Sequence, residues 1–113
     1  MSTRLRIIEN PWNADGTSNW PGPEFTDPST DHILAGCMWR EPDLDTPERE
    51  NWEIVLPHKA GSWHTNMRAS GTGNRWDVTG EPPNITVNPS INAGDGPGEG
   101  NWHGWIKDGE MTP

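Results

Sequence analysis

Hydrophobic positions come in short bursts along this chain, and the most regular of them lie within residues 76–109. Asn84-Ile85-Thr86-Val87 alternates polar and β-branched apolar residues, the period-two pattern of a half-buried strand. Trp102-His103-Gly104-Trp105-Ile106 places Trp102, Gly104 and Ile106 on one face and His103 and Trp105 on the other. A Gly-rich connector over residues 93–100 separates the two runs, and Lys107-Asp108-Gly109-Glu110 has the composition of a tight turn. This pair is predicted to form the centre of the core.

The rest of the chain repeats the pattern more weakly. Thr3-Arg4-Leu5-Arg6-Ile7-Ile8 predicts a first strand over residues 3–8, at a sheet edge because Arg4 and Arg6 on one face discourage further pairing. Over residues 10–29, Pro11, Pro21, Pro23 and Pro28 with Gly16 and Gly22 allow neither a helix nor a long strand. Trp12, Trp20 and Phe25 in this arm either pin it onto the core or lie against a neighbouring subunit. Residues 32–40 predict a buried strand, and Thr46-Pro47 permits one short helical turn over 47–51. Residues 52–56 form a strand candidate with Trp52, Ile54 and Leu56 on one face. Residues 62–69 alternate Trp63, Thr65, Met67 and Ala69 against His64, Asn66 and Arg68, and 75–79 is predicted to pair back on them across a Gly-rich turn. Six or seven short strands define an all-β class: a small loop-rich sandwich or barrel with at most one short helical turn. A single domain over 1–113 is expected, with its β core over 32–110.

Composition changes that picture in one respect. Only 29% of the 113 residues are hydrophobic, yet eight are Trp. An indole buries on the order of 150–250 Å², so a thin core of indoles can stand in for missing Leu and Val. The net charge of −9 and the absence of clustered Lys or Arg exclude a direct nucleic-acid binder. No segment reads as a membrane span or a signal peptide, and the one cysteine, Cys37, excludes a disulfide framework. A soluble acidic protein in a reducing cytoplasm is expected.

The order Ile85-Thr86-Val87-x-Pro89-Ser90-Ile91, a Gly-rich gap, then Trp102-His103-Gly104-Trp105-Ile106-x-Asp108-Gly109 resembles a family of small uncharacterised proteins in tailed-phage and prophage genomes. The resemblance spans about residues 63–110. It implies a viral origin. The Cys-rich, zinc-suggestive segments of many relatives are missing from this sequence, so the resemblance implies no metal site here.

Candidate chemistry is sparse. His32, Cys37, His58, His64 and His103 show no paired-ligand spacing, so neither metal nor cofactor is expected. His64 and His103 each follow a Trp; they either meet across neighbouring strands or each bonds a backbone carbonyl at the rim of a Trp cluster. Serine catalysis would rest on Ser90, His103 and Asp108. Ser90 lacks a G-x-S-x-G context, and Pro89-Ser90 reads more simply as a strand end, so no catalytic residue is expected. Trp63, His64, Arg68, Arg75, Trp76, Trp102, His103 and Trp105 are the candidates for a ligand or interface site, with Trp12, Trp20 and Phe25 as arm contacts. The resulting expectation is a non-enzymatic phage protein that binds other protein subunits and itself, most concretely a capsid decoration protein. It would reside in the virion after assembly in the host cytoplasm. A small-ligand or nucleotide-like binding module is the alternative.

Overall fold

A computed structural model of the chain describes residues 2–12, 15, 17–30, 32–41, 51–65, 76–93 and 100–113. Within them the protein is all-β, with one 3-10 turn at Pro23–Phe25. The strands are β1 (Thr3–Arg4), β2 (Arg6–Ile7), β3 (Cys37–Arg40), β4 (Trp52–Val55), β5 (Ser62–His64), β6 (Asp77–Thr79), β7 (Thr86–Ala93), β8 (Trp102–Lys107) and β9 (Glu110–Thr112). They form a five-stranded sheet of order β1-β9-β8-β7-β6 and a four-stranded sheet of order β2-β3-β4-β5.

The predicted first strand is divided between the two sheets. Thr3 pairs antiparallel with Met111, whereas Arg6 pairs in parallel with Cys37. Between them the Leu5 N–H donates to the Gly109 carbonyl at 2.8 Å, and the buried Leu5 side chain fills the space between the sheets. Both halves occupy sheet edges, as the two arginines predicted. Arg4 adds a bond from Nη2 to Asn84 Oδ1 at 2.9 Å.

The main core lies between the sheets. Met38, Ile54, Leu56 and Trp63 come from the four-stranded side, and Ile85, Val87, Ile91, Trp102, Ile106 and Met111 from the five-stranded side. Strand β8 alternates buried and exposed along its whole length, with Trp102, Gly104 and Ile106 inward. A Cβ on Gly104 would collide with the Thr112 carbonyl and lie 2.5 Å from Trp102 Cζ2, so the indole covers a position that only glycine fits. The β8–β9 turn matches the expected chemistry: Asp108 (φ 48) and Gly109 (φ 80) are both left-handed, as a two-residue primed hairpin requires.

A second, smaller core covers the opposite face of the four-stranded sheet. Ile8, Cys37 and Trp39 pack there against Phe25, Ile33, Leu34 and Val55. The arm is therefore held down by Phe25, over which the Arg6 guanidinium also sits at 5.1 Å, while Trp12 and Trp20 remain more than half exposed.

Three expectations are corrected. Residues 32–40 form a strand only from Cys37, because Gly36 is left-handed (φ 91) and Ile33 instead bridges Thr26. Strand β6 pairs with β7 and not with β5, so among the described residues the predicted hairpin of 62–69 with 75–79 is not seen; β5 pairs with β4. Strand β7 does not stop at Pro89 but continues to Ala93. Apart from Asn51, the helical turn over 47–51 lies outside the described residues, as do the Gly-rich turn over 70–74, Arg68 and Arg75.

Replacing Gly104 with Ala should destabilise the protein by about 1–3 kcal/mol through overpacking. A urea midpoint lowered at unchanged m-value would show it.

Candidate active site

Strand β7 carries the irregularity that builds the site. Val87 pairs with Ile106 and Ile91 with Gly104, so four steps along β7 match two along β8, and Asn88, Pro89 and Ser90 together face Trp105. Proline has no N–H to give to a ladder, and a bulge is where a sheet interior accommodates it. Ile85, Val87 and Ile91 stay in the core, while Ser90 turns to the outer face beside the exposed His103.

There the Ser90 hydroxyl lies 3.0 Å from His103 Nε2. With the proton of a neutral imidazole on Nδ1, Nε2 accepts the serine hydroxyl, which is the geometry of a nucleophile and its general base. The pair is held from both sides. The Ser90 carbonyl accepts the Trp76 indole N–H at 3.2 Å, and Trp76 meets the core residue Trp63 edge-on, with centroids 5.6 Å apart and planes at 85°. His103 lies against Trp105, with ring centroids 5.4 Å apart and a tilt of 34°. Asn92, exposed and on the same face, is the cross-strand partner of His103.

Asp108, grouped with Ser90 and His103 in the sequence, is not brought to them. It sits in the β8–β9 turn, where its N–H donates to Thr86 Oγ1 at 3.0 Å. Among the described residues no carboxylate is hydrogen-bonded to His103.

A second serine–histidine cluster has the wrong order for base catalysis. Glu53 Oε1 accepts from Ser62 Oγ at 3.1 Å and lies 2.8 Å from His64 Nε2, so the carboxylate stands between hydroxyl and imidazole. Cys37 is buried, and burial pushes its thiol pKa up, which removes it as a nucleophile.

The remaining predicted site residues are dispersed. Trp63 and Trp102 are core residues, 3% and 4% exposed, while Trp76 is half-buried and Trp105 lies on the outer face. These four indoles form no common pocket. His64 and His103 belong to different sheets and do not meet; they bind Glu53 and Ser90 rather than backbone carbonyls. A groove of about 780 Å³ runs between the arm and β4–β5, with Trp12, Trp20, Trp39 and Val55 among its walls, and contains neither Ser90 nor His103. No group of three metal-ligating side chains occurs among the described residues.

The fold and site thus define an all-β sandwich bearing a serine–histidine pair on one sheet face. Residues 44–113, which carry that pair, match the family described as bacterial ubiquitination-like system serine protease (BubE). The match spans more than half of the chain, and the chain belongs to this family. No curated protein and no solved structure matches it significantly.

This membership overturns the functional expectation drawn from the sequence. A family of a bacterial ubiquitination-like system replaces the capsid decoration protein and its ligand-binding alternative, and it replaces the virion as the setting. A family described as a serine protease likewise contradicts a non-enzymatic role. Pro89-Ser90 is not a strand end: the bulge leaves an outward-facing hydroxyl beside an imidazole. Among the described residues, no helix is long and apolar enough to cross a membrane.

Trp76→Phe keeps the ring but removes the N–H on the Ser90 carbonyl. Expected are a stability loss of about 1 kcal/mol and faster amide hydrogen exchange at Ser90 and Ile91. Exchange measured on Trp76→Phe beside Ser62→Ala, which should leave both amides unchanged, checks it.

Proposed function

We propose that the chain is a serine protease acting within a bacterial ubiquitination-like system, with Ser90 as nucleophile and His103 as general base. The observation that carries this reading is the 3.0 Å approach of Ser90 Oγ to His103 Nε2, inside the segment that matches the protease family. Ser90 Oγ attacks the scissile carbonyl carbon while its proton passes to His103 Nε2. The carbonyl π pair moves onto oxygen. On collapse the carbon–nitrogen bond breaks, and the leaving amine takes the proton from His103, giving an acyl-Ser90 intermediate. Water then attacks the ester with His103 as base, releasing the acid and restoring the hydroxyl. Asn92, on the same face and paired across from His103, supplies a side-chain amide of the kind that stabilises a developing oxyanion.

The test is covalent labelling with a fluorophosphonate, followed by peptide mass spectrometry. Modification is expected at Ser90, and Ser90→Ala should abolish it. His103→Ala should slow it by about 10²–10⁴-fold, the usual contribution of a general base. Ser62→Ala should label at the wild-type rate, because the Ser62 hydroxyl is bound to Glu53. Labelling at Ser62, or none at Ser90, would sink the assignment.

A further inference from the structure

Four large hydrophobic side chains stand exposed among the described residues: Ile7, Trp12, Trp20 and Trp105. Only Trp105 belongs to the sheet face that carries Ser90 and His103. It is 45% exposed, and its outward neighbours on β8 and β9, Lys107, Glu110 and Thr112, include no large apolar side chain. The His103 imidazole lies against the indole at 5.4 Å between centroids, its plane tilted by 34°. Across the ladder lies the bulge of Asn88, Pro89 and Ser90, so the nucleophile and the indole share one crossing point of β7 and β8.

An acyl group on Ser90 must have its first substituent within a few ångströms of the hydroxyl. We infer that Trp105 is the specificity-determining wall of this site, receiving the apolar side chain of the substrate residue that contributes the scissile carbonyl. This inference rests on Ser90 as the nucleophile. The preferred substrate is an extended segment with an aliphatic or aromatic residue on the acyl side of the cleaved bond. A small or charged residue there leaves the indole in water and gains nothing from it. Trp105 touches substrate directly, and its contact with His103 sets where the wall stands relative to the base.

The experiment is a p-nitrophenyl ester series from acetate to hexanoate, run on the full chain as wild type, Trp105→Ala, Trp105→Phe and Ser90→Ala. In the wild type kcat/KM should rise about tenfold along the series, less than a closed pocket gives for the same methylenes. Trp105→Ala should flatten that slope, with a loss that grows from acetate to hexanoate and falls mainly on KM; Trp105→Phe should retain most of the slope. The side chain is half in solvent, so the alanine variant is expected to fold, and its urea midpoint verifies this. A slope that survives Trp105→Ala overturns the inference and leaves the serine assignment standing. An equal loss on acetate and hexanoate also overturns it, because Trp105 then acts only through His103. Turnover undiminished in Ser90→Ala removes the nucleophile assignment, and the wall falls with it.

Discussion

Everything on the outer face of the five-stranded sheet depends on an indole folded over a glycine inside it. Trp102 covers Gly104 so closely that no Cβ fits there, and Ile106 continues the same inward row. Strand geometry then leaves no choice for the residues between: His103 and Trp105 must face out. A slip of one residue would bury the imidazole and expel Trp102 into solvent, exchanging a large apolar burial for a charged or polar one. The register of β8 is therefore fixed by the core, and the exposure of the His103 imidazole is a by-product of that fixation.

Strand β7 solves a different problem. It must keep Val87 and Ile91 in the core while carrying a proline and presenting a hydroxyl. Two additional residues relative to β8 preserve the inward phase on both sides of the bulge, since an even insertion leaves the alternation intact. Sites built on sheet strands are more precise than those on loops. Here the backbone of Ser90 is tied through Trp76 to Trp63, a residue of the four-stranded side of the core. Rigidity at the serine is thus drawn from both sheets.

What the sequence made legible follows the same physics. The alternation of β8, the Asp108-Gly109 turn, the edge position of Arg4 and Arg6 and the all-β class are local properties, and each appeared as read. The choice of strand partners is not local. Strand β6 pairs forward with β7 because their apolar residues Val78 and Val87 meet on the core side, a fact that no pattern within 75–79 contains. Ser90, His103 and Asp108 were singled out together, yet only the first two meet. Asp108 lies five residues beyond His103, roughly 17 Å along an extended strand, while Ser90 reaches His103 from the neighbouring strand. Ser90 stands in no nucleophile-elbow motif, and a bulge opposite an indole leaves no signature of its own in sequence. The wealth of Trp was equally ambiguous: Trp63 and Trp102 serve the core, Trp105 the surface, and composition cannot separate them.

The division of the N-terminal strand between the sheets bears on how the molecule comes into being. Thr3 finds its partner in Met111, so the first half of this strand waits for a segment made far downstream of it. Until then Leu5 has no completed cavity to enter, and both sheets carry an open edge. Contacts this distant in sequence close slowly, and open edges are templates for pairing with other chains. Arg4 and Arg6 guard the waiting segment with charge during that interval. Their positions, read in the finished sandwich as edge decoration, also describe protection of a strand during its synthesis.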